Sequence, residues 1–358
     1  MRTPNLKSAI TIDGSRGEGG GQILRTTLAL AVILQQPVQI HSIRAGRKKP
    51  GLRPQHLAAV KAMALITKGR VRGAELGSTS LTFEPQQLLP GSYSLDVGTA
   101  GSTSLVLQTM IPALLFAKES SRVVITGGTH VPWSPCFHYL RDVFAPMLQK
   151  MGGSLKLEIK RWGWYPKGGG KVTASISPTS ELTGLDLTRR AELQDICMLS
   201  AISNLPMSIA ERQQDQVLNR LQDYPDKLGR VELLEGPSPG TGTVVFIRAK
   251  FENGVAGFTS LGKKGKPAEK VADNACSDFS RFVNSEAAVD EHLADQLALY
   301  MALAKGPSTL TTQGITNHLT TNIWVIEQFL PVRFQQRAWA SSNCGGRLRK
   351  SSETRGRP

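Results

Sequence analysis

Apolar residues near the end of the chain recur at three- and four-residue spacing, at Ile323, Ile326 and Leu330. That rhythm predicts a helix over residues 319–330 with one buried stripe. Thr316 and Asn317 are cap-forming residues just ahead of it, so His318 falls at a helix N-terminus. The same kind of pattern predicts helices over Ile23–Leu34, Leu57–Thr67, Leu105–Phe116, Phe137–Met151 and Leu297–Ala304. Short β-prone runs predict strands at residues 8–13, Val38–Ile43, Arg122–Ile125 and Ser308–Thr312. Three more are expected within residues 70–97, and others around 154–160 and 171–177.

One order of elements recurs: a Gly/Ala-rich entry, an apolar helix, a strand, a loop and a second helix. Recurrence of that kind marks an internal repeat. Helix entries fall near 21, 102 and 295, so the second interval exceeds the first by about 110 residues. The surplus has its own predicted helices (Ser208–Leu221, Ala268–Val283) and strands (Val231–Glu235, Gly242–Phe251). It reads as a small α/β domain inserted at a surface loop, where an insertion costs little. The expected organisation is therefore an α/β (α+β) protein in which 1–184 and 285–338 make a discontinuous large repeat domain. Residues 185–284 make the inserted domain, and 339–358 a basic, disordered tail.

Composition narrows the partners. The 358 residues carry 43 Lys and Arg against 28 Asp and Glu, a net charge of +15. Six of the cations lie in Gln335–Pro358, opposed there only by Glu353. The body of the chain is still strongly basic, which favours an anionic partner, nucleic acid first among them. No apolar run approaches the ~18 residues that span a bilayer, and the first residues lack a signal-peptide apolar region. Cys136, Cys197, Cys276 and Cys344 form no CxxC pair. That speaks against a zinc site and a disulfide framework and suits a reducing cytoplasm. His41, His130, His138 and His292 have no Cys or carboxylate partner at ligand spacing, so no structural metal site is expected.

Several stretches carry candidate chemistry. A helix N-terminus offers free N–H groups and a positive dipole end, which attract phosphate and favour a neutral, nucleophilic ring at His318. Gly17-Glu-Gly-Gly-Gly-Gln22 lies between a strand and a helix, where the backbone can approach a phosphate closely. The same glycines also suit a plain tight turn; Glu18 within them is an odd choice for a structural turn and a natural ligand for a metal or a ribose hydroxyl. Arg44, Arg47, Lys48, Lys49 and Arg53 are five cations in ten residues with no acid among them, a self-repelling loop unless an anion joins it. Gln55 and His56 extend that polar surface. Gly257-Phe-Thr-Ser-Leu-Gly-Lys263 matches GxxxxGK, but Lys264 replaces the Ser or Thr that would bind magnesium, so it is not a phosphate loop. The neighbouring run Lys263-Lys-Gly-Lys266 suits a basic surface able to touch RNA backbone. Trp162, Trp164 and Tyr165 precede Pro-Lys-Gly-Gly-Gly-Lys171 and suit either single-strand stacking or aromatic packing in a hairpin.

Taken together, these stretches resemble the RNA 3′-terminal phosphate cyclase family. The resemblance is carried by residues 13–25 (DGSRGEGGGQILR), 43–56 (IRAGRKKPGLRPQH), Gly98–Gln108, His292-Leu-Ala-Asp-Gln296 and His318–Val332, and covers residue 9 to about 334. It implies a large domain of three repeated α/β units, similar to the C-terminal domain of a bacterial translation initiation factor, with a smaller inserted α/β domain. It also implies an enzyme that uses ATP and a divalent metal (Mg2+ or Mn2+) to turn an RNA 3′-phosphate into a 2′,3′-cyclic phosphodiester. By the same resemblance His318 is the histidine that becomes adenylylated. Glu18, Gln22, Gln108, His292, Asp295 and Gln296 are nucleotide-site positions, Glu18 also being the metal ligand. Arg25, Arg44, Arg47, Gln55 and His56 are RNA- and phosphate-binding positions. At His292 many relatives carry tyrosine. Around Phe258 the match is loose.

The implied chemistry suits the residues. A neutral imidazole attacks the α-phosphorus of ATP, an RNA phosphate oxygen takes the AMP, and the adjacent 2′-hydroxyl closes the ring. The competing reading is a non-catalytic RNA-binding or ribosome-assembly factor on the same scaffold. That branch lacks the nucleophile which this chain has. No obligate protein partner and no membrane contact are inferred.

Overall fold

The computed structural model describes residues 8–338 and 345–352. Its elements form four four-stranded mixed sheets with helices packed against them. Three of the sheets share one plan. The first runs Ile10–Asp13, Val38–His41, Leu81–Glu84, Arg70–Arg72 from edge to edge; the second runs Ser92–Asp96, Ser121–Gly127, Gly170–Ser177, Ser154–Arg161. The third runs Asp186–Leu187, Ser308–Thr312, Gly346–Ser352, Val332–Ala338. In each, the first two strands are parallel and the remaining pairings antiparallel. A parallel pair needs a crossover, and the apolar helices Gly21–Leu34 and Thr103–Leu114 supply it in the first two sheets.

The third sheet corrects the expectation of a disordered tail. Residues 346–352 form a strand between Ser308–Thr312 and Val332–Ala338. The basic composition hides a two-residue alternation: Arg347 and Arg349 are exposed, whereas Leu348 and Lys350 are buried. The Lys350 ammonium is satisfied by the carbonyls of Ala304 (2.5 Å) and Gly306 (3.1 Å). The rest of the predicted tail lies outside the described residues.

The fourth sheet runs Leu228–Glu235, Leu193–Ser203, Gly242–Phe251, Val255–Leu261, an order the other three do not use. The strand Leu193–Ser203 was not predicted. One face of this sheet (Ile196, Met198, Val245, Ile247) packs on the helices Met207–Arg220 and Ala268–Val283. The other face, including Leu199, Ala201, Val244 and Phe246, joins the main core. The GxxxxGK match lies within the strand Val255–Leu261 and just past it. Phe258 is buried there against Phe279 and Phe282.

Two further expectations change. The helix predicted from Leu297 begins at Glu291, because Asp290 Oδ1 accepts hydrogen bonds from the N–H groups of His292 and Leu293. Asp295 and Gln296 therefore stand on a helix and not in a loop. The stretch predicted as one helix over Phe137–Met151 contains a π-turn at Leu140–Phe144. Among the described residues no helix is long and apolar enough to cross a membrane.

Candidate active site

The helix Asn317–Phe329 is capped by Thr316, whose hydroxyl accepts from Leu319 N at 3.0 Å. His318 is thereby held in its first turn, with its side chain 37% exposed. Its two ring nitrogens face different carboxylates: Nδ1 lies 2.9 Å from Asp295 Oδ2, and Nε2 lies 3.7 Å from Glu18 Oε2. The helix end is therefore not the only field at the ring, as the sequence reading had it.

Asp295 is mostly buried and itself held in place. Asn322 Nδ2 donates to its carbonyl (3.0 Å) and to Oδ1 (3.1 Å), while Asn322 Oδ1 accepts from Thr26 Oγ1 (2.7 Å). This chain fixes the carboxylate that fixes the imidazole. With Nδ1 engaged as a donor to Asp295, the lone pair is on Nε2, which faces the glycine turn. Neither Asn322 nor Thr26 was singled out from the sequence. The available signal was a polar residue at 322, four positions after His318, beside the buried stripe of Ile323 and Ile326.

The turn before the helix Gly21–Leu34 packs directly on the His318 helix. Gly17 has φ +55°, and a Cβ there would lie 2.2 Å from Thr321 Oγ1. Glu18 N donates to that same hydroxyl at 3.1 Å. Glu18 Oε1 is ion-paired with Arg47, while Oε2 is buried without a hydrogen-bond partner. A buried carboxylate oxygen with an open lone pair, beside a histidine nitrogen, fits a divalent cation.

The basic loop contributes less uniformly than its composition suggests. Arg44, at φ +58°, spends NH1 on the carbonyls of Lys49 and Gly51, both at 2.8 Å, and braces its own loop. Arg25 is buried against Gln22 Oε1 (2.5 Å). Burial lowers its pKa to about 10, so it remains charged at neutral pH. His56 is buried, its Nδ1 accepting from Arg53 N at 3.3 Å. Burial and then the positive field of Arg25, Arg44, Arg53 and Arg47 push its pKa down to about 3. Four guanidinium groups gathered around a neutral ring make a cationic recess that an anion would relieve. Gln55, next to His56 in the chain, accepts through Oε1 from Ser102 N at 3.1 Å.

Asp295 also lines a partly open cavity of about 30 Å3, shared by polar groups of Gln22, Arg25, Gln108, Gln296 and Asn322 and by the apolar Phe144, Leu299 and Tyr300. Arg25 Nε, Gln108 Nε2 and Gln296 Oε1 are buried there without partners. That volume suits an ordered water and not a nucleotide. His292 is exposed on the first turn of its helix.

A second histidine cluster lies elsewhere and corrects the expectation that no cysteine stands at ligand spacing. His130, Cys136 and His138 are buried with their ligand atoms within 4.8 Å of one another. Gly163 N donates to Thr129 Oγ1 (2.9 Å), which bonds His130 Nδ1 (2.8 Å), and His130 Nε2 meets His138 Nδ1 at 3.0 Å. This chain satisfies the facing nitrogens without a cation. Trp162, stacked on His130 at 4.3 Å, and Trp164 are buried beside it. Both therefore serve packing; only Tyr165 of the three aromatics is exposed.

An imidazole aimed past a carboxylate into an arginine-lined recess, on an α/β scaffold, is equipped for phosphoryl-group chemistry. A sequence model described as RNA 3′-terminal phosphate cyclase matches residues 16–336, and the chain belongs to that family. It is 45% identical over 333 residues to the RNA 3′-terminal phosphate cyclase of Pyrobaculum neutrophilum, covering 91% of this chain and 94% of the relative. The Koribacter versatilis cyclase is 47% identical over 332 residues, covering 93% of each chain. That of Ralstonia nicotianae is 44% identical over 330 residues, covering 92% and 94%. Among solved structures, the enolpyruvyl transferase NikO from Streptomyces tendae is similar at 12% identity with a TM-score of 0.37, over 97% of this chain and 49% of that one. That likeness is too slight to bear on the site.

Proposed function

We propose that this protein is an RNA 3′-phosphate cyclase, a ligase that consumes ATP and closes an RNA 3′-phosphate onto its neighbouring 2′-hydroxyl. The observation that carries the reading is the orientation of His318. Asp295 occupies Nδ1, and Nε2 points toward Glu18, whose other oxygen is held by Arg47.

In this reading Nε2 attacks the α-phosphorus of ATP, the bond to the β-phosphate oxygen breaks, and pyrophosphate leaves. Asp295 keeps the ring in the correct tautomer and balances the charge it gains as the N–P bond forms. A terminal oxygen of the RNA 3′-phosphate then displaces Nε2 and takes the AMP. In the last step the 2′-oxygen attacks the 3′-phosphorus, its proton passes to solvent, and AMP departs. That step is intramolecular, so the protein's task is to orient the end and disperse charge. Arg25 and Arg47, with the other cations whose field reaches His56, would carry that role. Glu18 would hold a divalent cation such as Mg2+ through Oε2, which would neutralise phosphate charge.

We assign the large repeat domain to residues up to 187 and from 285 on, because Asp186–Leu187 pairs with Ser308–Thr312 in the third sheet, and the strand Gly346–Ser352 extends it. The inserted domain then spans 188–284, a few residues inside the expected boundary at 185. The test is direct. With ATP and Mg2+, the purified protein should convert a 3′-phosphorylated RNA to a phosphatase-resistant end and release one AMP per end. An end that stays phosphatase-sensitive contradicts the reading.

A further inference from the structure

The cyclase reading accounts for the RNA terminus and leaves open where the rest of the strand runs. A second feature is unexplained by folding: Trp133 is 96% exposed and sits at φ +59°. A bulky ring in the left-handed region is a strained choice, and solvent gives it no packing in return. Tyr165, 67% exposed, projects from an adjoining loop.

Four loops are laced into one surface here. His130 N and Thr129 N both donate to Gly163 O (3.1 and 2.9 Å), and Gly128 N donates to Gly101 O (2.8 Å). Trp162 N donates to Pro237 O at 2.8 Å. Gly168, at φ +69°, lies so close to the turn 98–101 that a Cβ would meet Thr99 O at 2.7 Å. That turn leads to Ser102, whose N–H is bonded by Gln55 beside the cationic recess. The loops 98–101, 128–135, 161–171 and 236–241 contain Arg161, Lys167 and Lys171 and no Asp or Glu. All three cations are exposed.

We propose that this surface is the track for the single-stranded RNA immediately upstream of the 3′-phosphate, with Trp133 and Tyr165 as stacking platforms for bases. Arg161, Lys167 and Lys171 face its phosphates. The proposal rests on the cyclase reading and deepens it. The chemistry favours a single strand: exposed aromatic faces take any base, and adjacent cations on a rigid Gly/Pro-rich backbone follow a sugar–phosphate chain. It also separates roles in the aromatic stretch, since the buried Trp162 and Trp164 support the loop while Tyr165 meets the ligand. Stacking of this kind is sequence-tolerant, which suits an enzyme that acts on ends.

The experiment compares two substrates, a 3′-phosphorylated dinucleotide and a 3′-phosphorylated single strand of about a dozen nucleotides. Both aromatic positions are exposed, so Trp133→Ser and Tyr165→Ser are expected to fold. For the long substrate KM should rise about 5- to 100-fold in the double variant, with kcat unchanged. For the dinucleotide, both constants should stay at wild-type values, as should self-adenylylation without RNA. Lys167→Gln should weaken the salt dependence of long-substrate KM. Equal KM for the long substrate in wild type and double variant overturns the track. So does a change confined to sedimentation behaviour, which would mark a protein contact instead. Failure of the wild-type protein to cyclise either substrate would sink the cyclase reading itself and is distinguishable from both.

Discussion

Asp295 Oδ2 lies 2.9 Å from His318 Nδ1, and Asp295 is in turn gripped through two of its oxygens by the Asn322 amide. The two residues stand on separate helices, Glu291–Leu303 and Asn317–Phe329, that pack against each other. The His318 imidazole is thus oriented by helix packing and not by a loop, which keeps Nε2 pointed at one place.

Replacing Asp295 with Asn retains the shape but removes the charge and permits the wrong tautomer. Self-adenylylation of Asp295→Asn should slow by about 100-fold or more. Asn322→Ala should slow it by ~10–100-fold, through loss of the carboxylate's support. Single-turnover labelling with ATP reads both. A wild-type rate in Asp295→Asn would remove the orienting role.

Acid should destabilise the protein in a defined window. The pKa of His56 falls from 6.5 in the unfolded chain to about 3 in the fold, so the unfolded state binds the extra proton between those values. The contribution of a neutral His56 is complete above pH 6.5 and is lost as pH falls toward 3, at ~1.4 kcal/mol per unit at most. His138, also lowered to about 3, and His130 add to the same slope. Urea unfolding at pH 7 and pH 5 should show reduced stability at the lower pH, with a smaller reduction in His56→Gln. Identical pH dependence in the two proteins would contradict a buried neutral ring.

The strand Gly346–Ser352 should be essential to the fold, despite its basic, serine-rich composition. Leu348 is fully buried, and Leu348→Ala should cost about 2–5 kcal/mol, seen as a lowered Tm. Truncation after residue 338 should be worse, because it removes an interior strand and leaves Ser308–Thr312 and Val332–Ala338 unpaired on that side. A truncated protein with wild-type Tm would contradict this.

Much of this was readable from local sequence. The glycine turn, the cap at Thr316 and the helix start at His318 are short-range features, and the recurring element order anticipated three sheets of one plan. What escaped reading depends on distant or ambiguous signals. Asp295 looked like part of a helix entry because the cap at Asp290 was missed, so its partnership with His318 was invisible at the level of residues. Arg44 was counted with the phosphate-binding cations, and nothing in the sequence signals that one end of its guanidinium also braces its own loop. The strand at 346–352 was lost because charge was weighed over the alternation of Arg347, Leu348, Arg349 and Lys350. Leu193–Ser203 was missed because its first half is polar and only its second half is apolar on both faces.

The central claim is that His318 Nε2 is the temporary carrier of AMP. The measurement is mass-spectrometric peptide mapping of the protein after incubation with α-labelled ATP and Mg2+, without RNA. The label should reside on His318 alone, and His318→Ala should carry none. Label on any other residue, or undiminished labelling of His318→Ala, would contradict the account.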